Sequence, residues 1–267
     1  MSTSPVTSPV TIVTGASRGL GLAIAKQLLA KGHRLLTIQR TPNVDLANLT
    51  VLGASDAHNG ANGLEQWSVD LTSPVEVAEQ LQQWVARLPR GTISSLSLIN
   101  NAAMLVEPGP LDSADFTAIS HAIRAGLEAP VLLSAAFLGA SNDLASEVPR
   151  KILNISSGLG RTAMAGSAVY CATKAGMDHV SRSLALEAAQ QPNGARIISL
   201  APGVIDTDMQ VQLRGADPLV FPAQQRFAGL KSGGLLDTPE SAAAKVIAYL
   251  ERPDFGTTVI ADVRDPN

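Results

Sequence analysis

Cysteine is nearly absent from this 267-residue chain. Cys171 stands alone, which excludes an internal disulfide framework and a cysteine-based zinc cluster. Aromatic residues make up only 3%, too few for a base-stacking surface along a single nucleic-acid strand. Charged residues are sparse too, 16% against the roughly 25% of average soluble domains. The formal net charge of −3 lacks the basic surplus of a phosphate-backbone binder. The four histidines, His33, His58, His121 and His179, show no metal-ligand spacing, so no metal site is expected. Long apolar runs are also missing. Pro130 and Ser134 interrupt the greasiest stretch, Leu127 to Ala140, and no segment reaches the roughly 18 uninterrupted apolar residues of a membrane span. The opening MSTSPVTSPV has neither the basic nor the apolar block of a secretory signal, and Met1 to Ser8 reads as a mobile tail. These absences favour a soluble cytoplasmic protein with neither nucleic acid nor membrane as partner.

What is present is an alternation. Short apolar, β-branched runs read as strands at Val10–Val13, Leu35–Ile38, Trp67–Val69, Leu96–Ile99, Ile152–Ile155, Ile197–Leu200 and Thr257–Ile260. Between them lie amphipathic, helix-length segments: Leu20–Leu29 closed by Gly32, Pro74–Leu88 capped by Ser73, Asp112–Leu138 broken near Ala129 by Pro130, Ala168–Ala189, and Ser241–Leu250. Strand alternating with helix implies a doubly wound α/β sheet of about seven parallel strands, with helices on both faces. No linker or repeat divides residues 9–267, so one domain is expected. Ligands of such sheets bind beyond the carboxyl ends of the strands.

After the first strand comes Thr14-Gly15-Ala16-Ser17-Arg18-Gly19-Leu20-Gly21. Glycines at a strand-to-helix turn permit tight bending and close approach of a pyrophosphate to the helix N-terminus. After the second strand, Ile38-Gln39-Arg40-Thr41 offers no acid for a ribose 2′-hydroxyl. Arg40 and Arg18 are instead suited to a 2′-phosphate, which points to NADP(H) rather than NAD; the plain alternative is two solvated arginines. Asp70-Leu71 and Asn100-Asn101-Ala102-Ala103 follow the third and fourth strands, either as adenosine and ribose contacts or as a cap and a turn.

The fifth strand ends Asn154-Ile155-Ser156-Ser157, and Tyr170 follows Ser157 by thirteen residues. Tyr170 and Lys174 are spaced i, i+4 and share a helix face. A nearby ammonium is expected to lower the phenol's pKa from about 10. Ser157 and Tyr170 together suit a carbonyl that is protonated as hydride arrives. Lys151 and Arg150 read as a solvated strand start, and Cys171 as a packing residue.

These segments together resemble the short-chain dehydrogenase/reductase family over residues 9 to 262. They are the TGASRGLG turn, NNAA in place of NNAG, the serine thirteen residues before YCATK, and APGVIDTDM after strand six. The resemblance implies Ser157, Tyr170 and Lys174 as the catalytic set, acting on a small-molecule carbonyl. It implies NADP(H) contacts at Gly15, Ser17, Arg18, Gly19, Leu20, Gly21, Arg40, Thr41, Asp70, Leu71, Asn101, Ala102, Tyr170, Lys174, Pro202, Gly203, Ile205, Thr207 and Met209. It also implies a homodimer or homotetramer, paired through the helices around Leu127 and Met177. Gly126 departs from the pattern: it stands where the family places an asparagine that serves a proton relay to the lysine. Either proton return is slowed, or a neighbour such as Arg124 or His121 compensates.

The C-terminal third is similar to the sepiapterin reductase branch, whose bacterial-type members also reduce aromatic diketones such as benzil. By that resemblance Asp262 is either a pterin anchor or a terminal surface acid. Substrate contacts then fall to Ser157, Tyr170, Gly203 and Asp262. Residues 208–236 are expected to form a substrate lid bearing Met209, Leu213, Leu219, Phe221, Phe227 and Leu230, apolar residues that either face a flat or aromatic substrate or pack as core under an ordinary helix. The leading expectation is an NADPH-dependent carbonyl reductase. The rival is a non-catalytic NADP(H) sensor on the same fold. An enoyl reductase fits less well, since related enzymes of that kind use a longer tyrosine-to-lysine gap.

Overall fold

The strands are apolar on both sides because both sides are covered. In the computed structural model, which describes residues 7–52, 63–144 and 146–265, seven strands form one parallel sheet. They are β1 (Ser8–Thr14), β2 (Arg34–Gln39), β3 (Leu64–Ser68), β4 (Ile93–Asn100), β5 (Arg150–Ile155), β6 (Arg196–Ala201) and β7 (Ile260–Asp262). Their order is β3-β2-β1-β4-β5-β6-β7. Successive residues of a strand enter different cores. Ile12, Leu36, Leu98, Ile152 and Ile197 face one core, and their neighbours Val13, Leu35, Ile99, Leu153 and Ile198 face the other.

The first core is closed by α3 (Pro74–Ala86) and α5 (Ala129–Ala140), through Leu81, Leu133 and Phe137, with α6 (Ala168–Ala188) packed on the same face. The second core is closed by α1 (Gly19–Ala30) and α9 (Pro239–Leu250), through Ile24, Leu28, Val246 and Ile247. A short α2 (Val44–Leu52) follows β2, and α4 (Phe116–Ile123) precedes α5. Beyond β6 an excursion carries α7 (Asp208–Gly215) and α8 (Gln224–Ser232).

Several expectations need correction. The helix expected from Asp112 begins at Phe116, where Asp115 caps it by accepting from the Ala118 amide at 2.7 Å. The break is a π-helical turn over Arg124–Glu128. It widens the coil just before Pro130, whose ring would clash with a regular preceding turn. Together the run Phe116–Ala140 is long and apolar enough, by length and composition alone, to cross a membrane. Half of it is buried in the protein, against the sheet and α3, as a core helix is. Ser73 precedes α3, with Pro74 at its first turn as expected, but its side chain makes no capping bond. The last strand is Ile260–Asp262 rather than Thr257–Ile260, because β6 pairs Ala201 with Asp262.

Arg150 and Lys151 are not solvated. Arg150 is buried and donates to Asn142 Oδ1 at 3.0 Å. Lys151 donates to the Leu250 carbonyl at 2.6 Å and lies over the Phe255 ring. Met177 of α6 is buried within the chain. Of the expected N-terminal tail, Ser8 already belongs to β1, and residues 1–6 lie outside the described residues.

Phe137 has no exposed surface and fills the centre of the first core. Phe137→Ala is expected to cost about 3–5 kcal/mol of unfolding free energy, measured by denaturant titration.

Candidate functional site

Neighbouring strands β1 and β4 send their connections to opposite faces of the sheet, and this opens a cleft at their carboxyl ends. The Thr14 hydroxyl accepts from the amides of Asn101 and Ala102, both at 3.0 Å. The Asn101 side chain donates back to the carbonyls of Thr14 and Gly15 at 3.0 and 3.2 Å. Asn101 is therefore a clamp on the glycine turn. Gly15 takes φ +71°, and a Cβ there would lie 2.9 Å from Ala102 Cα. A Cβ on Gly21 would lie 2.2 Å from the Gly15 carbonyl oxygen, so only glycine lets α1 start this close to β1.

The N-terminus of α1 has neither a side-chain cap nor an acid in its first turn. Its free N–H groups and partial positive charge suit a diphosphate. A cleft of about 1240 Å³ runs from this turn to Tyr170, and every residue assigned above to the cofactor borders it. Buried Gln39 Oε1, Ser167 Oγ and Gln210 Oε1 in its wall lack partners among the described residues. A dinucleotide with many polar groups matches such a wall. The residues present therefore fit a nicotinamide dinucleotide.

The two candidate 2′-phosphate cations differ in setting. Arg40 is exposed at the end of β2. Arg18 is ion-paired with Asp208 of α7 across the mouth of the cleft. Asp70 is engaged locally: Oδ1 accepts the Thr72 amide at 2.9 Å, and this bond foremost holds its carboxyl below the usual range.

At the other end of the cleft Ser157 follows β5, and its hydroxyl accepts the Leu159 amide at 3.2 Å. Tyr170 and Lys174 stand one turn apart on α6, with Lys174 Nζ 5.6 Å from the Tyr170 ring centre. Lys174 is 2% exposed and donates to the Ile155 carbonyl at 2.8 Å. Burial pushes its pKa down to about 8, partly opposed by the negative charge of Asp178. Tyr170 differs from the sequence expectation. Burial raises its phenol pKa, and the hydrogen bond with Ser157 offsets this only in part. The lysine, rather than the tyrosine, therefore titrates nearest neutrality in the ligand-free protein.

Asp178 escaped the sequence reading. It is 2% exposed, one turn beyond Lys174. Its Oδ1 accepts from Ser156 Oγ at 2.5 Å and Ser199 Oγ at 2.6 Å. Its Oδ2 pairs with Arg161 Nε at 3.2 Å, and Arg161 also donates to the Ala261 carbonyl at 2.9 Å. One carboxylate thus fastens α6 to β5, β6, β7 and the turn after Ser157. The i, i+4, i+8 spacing of Tyr170, Lys174 and Asp178 on one helix face was the available signal. A second buried chain runs from Asn100 Nδ2 to Asn154 Oδ1 at 2.8 Å, and from Asn154 Nδ2 to Ser181 Oγ at 2.9 Å.

Gly126 lies within the π-helical turn and packs on α6, where a Cβ would meet Thr173 at 3.4 Å. Neither proposed substitute for the missing amide reaches Lys174. Arg124 donates to the Thr72 carbonyl at 3.3 Å, and His121 lies on the side of Asp70.

The excursion over residues 208–236 is pinned at its neck, where Ile205 bridges Asp237. The Asp206 amide donates to the Asp237 carbonyl at 2.9 Å, and the Asp237 amide donates to the Val204 carbonyl at 2.9 Å. Met209, Leu213, Phe227 and Leu230 border the cleft as expected. Leu219 instead is 89% exposed, and Phe221 is fully buried, stacked on Phe227 at 5.8 Å. Asp262 is buried and does not border the cleft; Arg264 does.

Two outcomes follow from the buried charges. Folded Lys174 binds fewer protons than the unfolded chain between about pH 8 and the ordinary lysine value of 10.5, so its burial penalty is constant below this window and fades as pH rises through it. Lys174→Met should therefore be more stable than wild type at pH 7, by at most on the order of 3 kcal/mol, with the gap closing by about pH 10.5; denaturant titrations at both pH values measure this. Asp178→Asn should cost about 1–3 kcal/mol by the same titration, because it weakens a buried charged acceptor of two hydroxyls and a guanidinium.

Comparison with known proteins agrees with this geometry. The short chain dehydrogenase family model matches residues 9–217. The chain is 32% identical over 244 residues to a benzil reductase ((S)-benzoin forming) of Bacillus cereus, covering 91% of this chain and 94% of that one. It is 31% identical over 264 residues to the sepiapterin reductase of Mus musculus, covering 96% and 97%. A short-chain dehydrogenase/reductase structure from Burkholderia vietnamiensis superposes with a TM-score of 0.62 at 31% identity, covering 99% of this chain and all of that one. The sheet order, the glycine turn and these relatives together establish that the chain belongs to the short-chain dehydrogenase/reductase family of oxidoreductases.

Proposed function

We propose that this protein is an NADPH-dependent carbonyl reductase acting on a ketone or diketone, with Tyr170 as the general acid. The observation that carries the reading is the placement of Ser157, Tyr170 and buried Lys174 together at the inner end of a dinucleotide-sized cleft, with Lys174 Nζ 5.6 Å from the centre of the Tyr170 ring. Bound NADPH supplies the hydride. Ser157 and Tyr170 orient the carbonyl oxygen from one side. Tyr170 gives up its proton as negative charge develops on that oxygen. The phenol's raised pKa keeps it protonated and ready to donate at neutral pH. Below about pH 8 Lys174 is charged, and it stabilises the phenolate left behind. Leu213, Phe227 and Leu230 exclude water from the substrate end.

The preference for NADPH rests on the missing acid after β2 and on exposed Arg40, with Arg18 able to exchange Asp208 for a phosphate. The names of the benzil and sepiapterin reductases support an aromatic dicarbonyl or a pterin side chain as substrate.

Tyr170→Phe is expected to lower kcat for benzil reduction by about 10²–10⁴-fold, a much larger effect than any change in NADPH binding measured by fluorescence. Wild-type turnover persisting in that variant would contradict the role of the phenol. Tight NADPH binding with no turnover of any diketone, pterin or quinone would instead favour a sensor. Arg40→Ala should weaken NADPH binding by about tenfold and NADH binding little; equal losses would count against a 2′-phosphate contact.

A further inference from the structure

The acid expected to face the substrate is already occupied. Asp262 closes β7 beside Ala201. Its Oδ1 accepts from Arg264 Nε at 2.7 Å and the Arg264 amide at 3.0 Å, and its Oδ2 accepts from Arg264 Nη2 at 2.6 Å. This is a forked pair, two parallel N–H groups on two oxygens. The flat donor edge of a 2-aminopyrimidine needs that same pair of acceptors side by side, so the Arg264 guanidinium takes the place such an edge would fill. The pairing foremost holds the Asp262 carboxyl below the usual range, so the carboxylate stays ionised and paired at neutral pH.

Arg264, not Asp262, borders the cleft, and its side chain is 62% exposed against 10% for Asp262. Among the described residues, Nη1 of Arg264 has no protein acceptor, so its N–H groups remain available. The position is close to the chemistry. Arg161, at the end of the turn after Ser157, donates to the Ala261 carbonyl. Val263 lies against Gly203, which borders the same cleft. Asp262 and Asp265 beside the guanidinium disfavour an anionic ligand group. Met164, Leu213, Phe227 and Leu230 make the rest of this end apolar.

Resting on the carbonyl reductase reading, we propose that Arg264 selects the substrate. It donates to a neutral acceptor oxygen at the far end of an aromatic dicarbonyl, and by holding Asp262 it withholds the carboxylate from substrates that present a donor edge, such as a 2-aminopterin.

The test compares kcat/KM for benzil and for sepiapterin with NADPH in wild type, Arg264→Ala and the double variant Asp262→Asn/Arg264→Ala. The sepiapterin-to-benzil ratio should rise about tenfold or more in Arg264→Ala, the scale of a hydrogen bond to a charged group, and fall back in the double variant. An unchanged ratio in Arg264→Ala, or a rise that survives loss of Asp262, would overturn the assignment. Should Arg264→Ala fail to fold, Arg264→Lys, which cannot fork onto both oxygens, gives the same readout. Calorimetric titration of sepiapterin into the NADP+ complexes reads the anchor without turnover. Tighter binding in Arg264→Ala than in wild type supports the proposal, and equal binding refutes it. Failure of wild type to reduce either compound would refute the carbonyl reductase reading, while the calorimetry still decides the role of Arg264.

Discussion

Burying an ammonium is the constraint on which the site depends. Lys174 is shut away from solvent with the Ile155 carbonyl as its hydrogen-bond acceptor, and a charge so placed is tolerated only where strand ends and helix are held rigidly. The holding is done by polar groups inside the protein. Asp178 ties α6 to Ser156 and Ser199 at the tips of two strands, while Asn100, Asn154 and Ser181 join two strands to the same helix below. Satisfied networks of this kind fix geometry more sharply than apolar packing does. The result is a phenol and an amine held on one helical face, at the edge of the cleft.

The rest of the cleft follows from topology. The divergence of connections between β1 and β4 creates the opening. The Thr14–Asn101 clamp fixes its floor, and the uncapped start of α1 supplies its positive end. The excursion after β6 builds a separate small core, with Phe221 and Phe227 stacked inside it, joined to the sheet through the Ile205–Asp237 neck. The cleft is therefore walled by three differently built regions: a tight glycine turn, a buried polar network and a small apolar core.

Much of this was legible in the sequence. Strand-length runs such as Leu96–Ile99 and Ile152–Ile155 announce a sheet covered on both faces, and the i, i+4 pair of Tyr170 and Lys174 announces a shared helix face. What escaped did so for physical reasons. The helix Val44–Leu52 has little amphipathic contrast; its start is marked only by Asn43, whose side chain accepts the Leu46 amide at 3.1 Å. Arg150 and Lys151 look solvated by residue type, yet their long stems reach backbone carbonyls and side-chain oxygens that only the fold brings near. The ion pair of Arg18 with Asp208 and the network around Asp178 join residues from distant segments, and no local pattern encodes them. The direction of the Tyr170 pKa differs from the expectation because burial, invisible in spacing, is the dominant influence on the phenol.

The central claim is that the charge on Lys174, held at the end of β5, makes Tyr170 an effective acid. The pH dependence of the hydride-transfer step, followed by stopped-flow in a single turnover of NADPH with benzil, tests it most directly. The account predicts a plateau at neutral pH and a decline as a single group near pH 8 loses its proton. A rate that stays flat from about pH 6 to 10, across that titration, would contradict it.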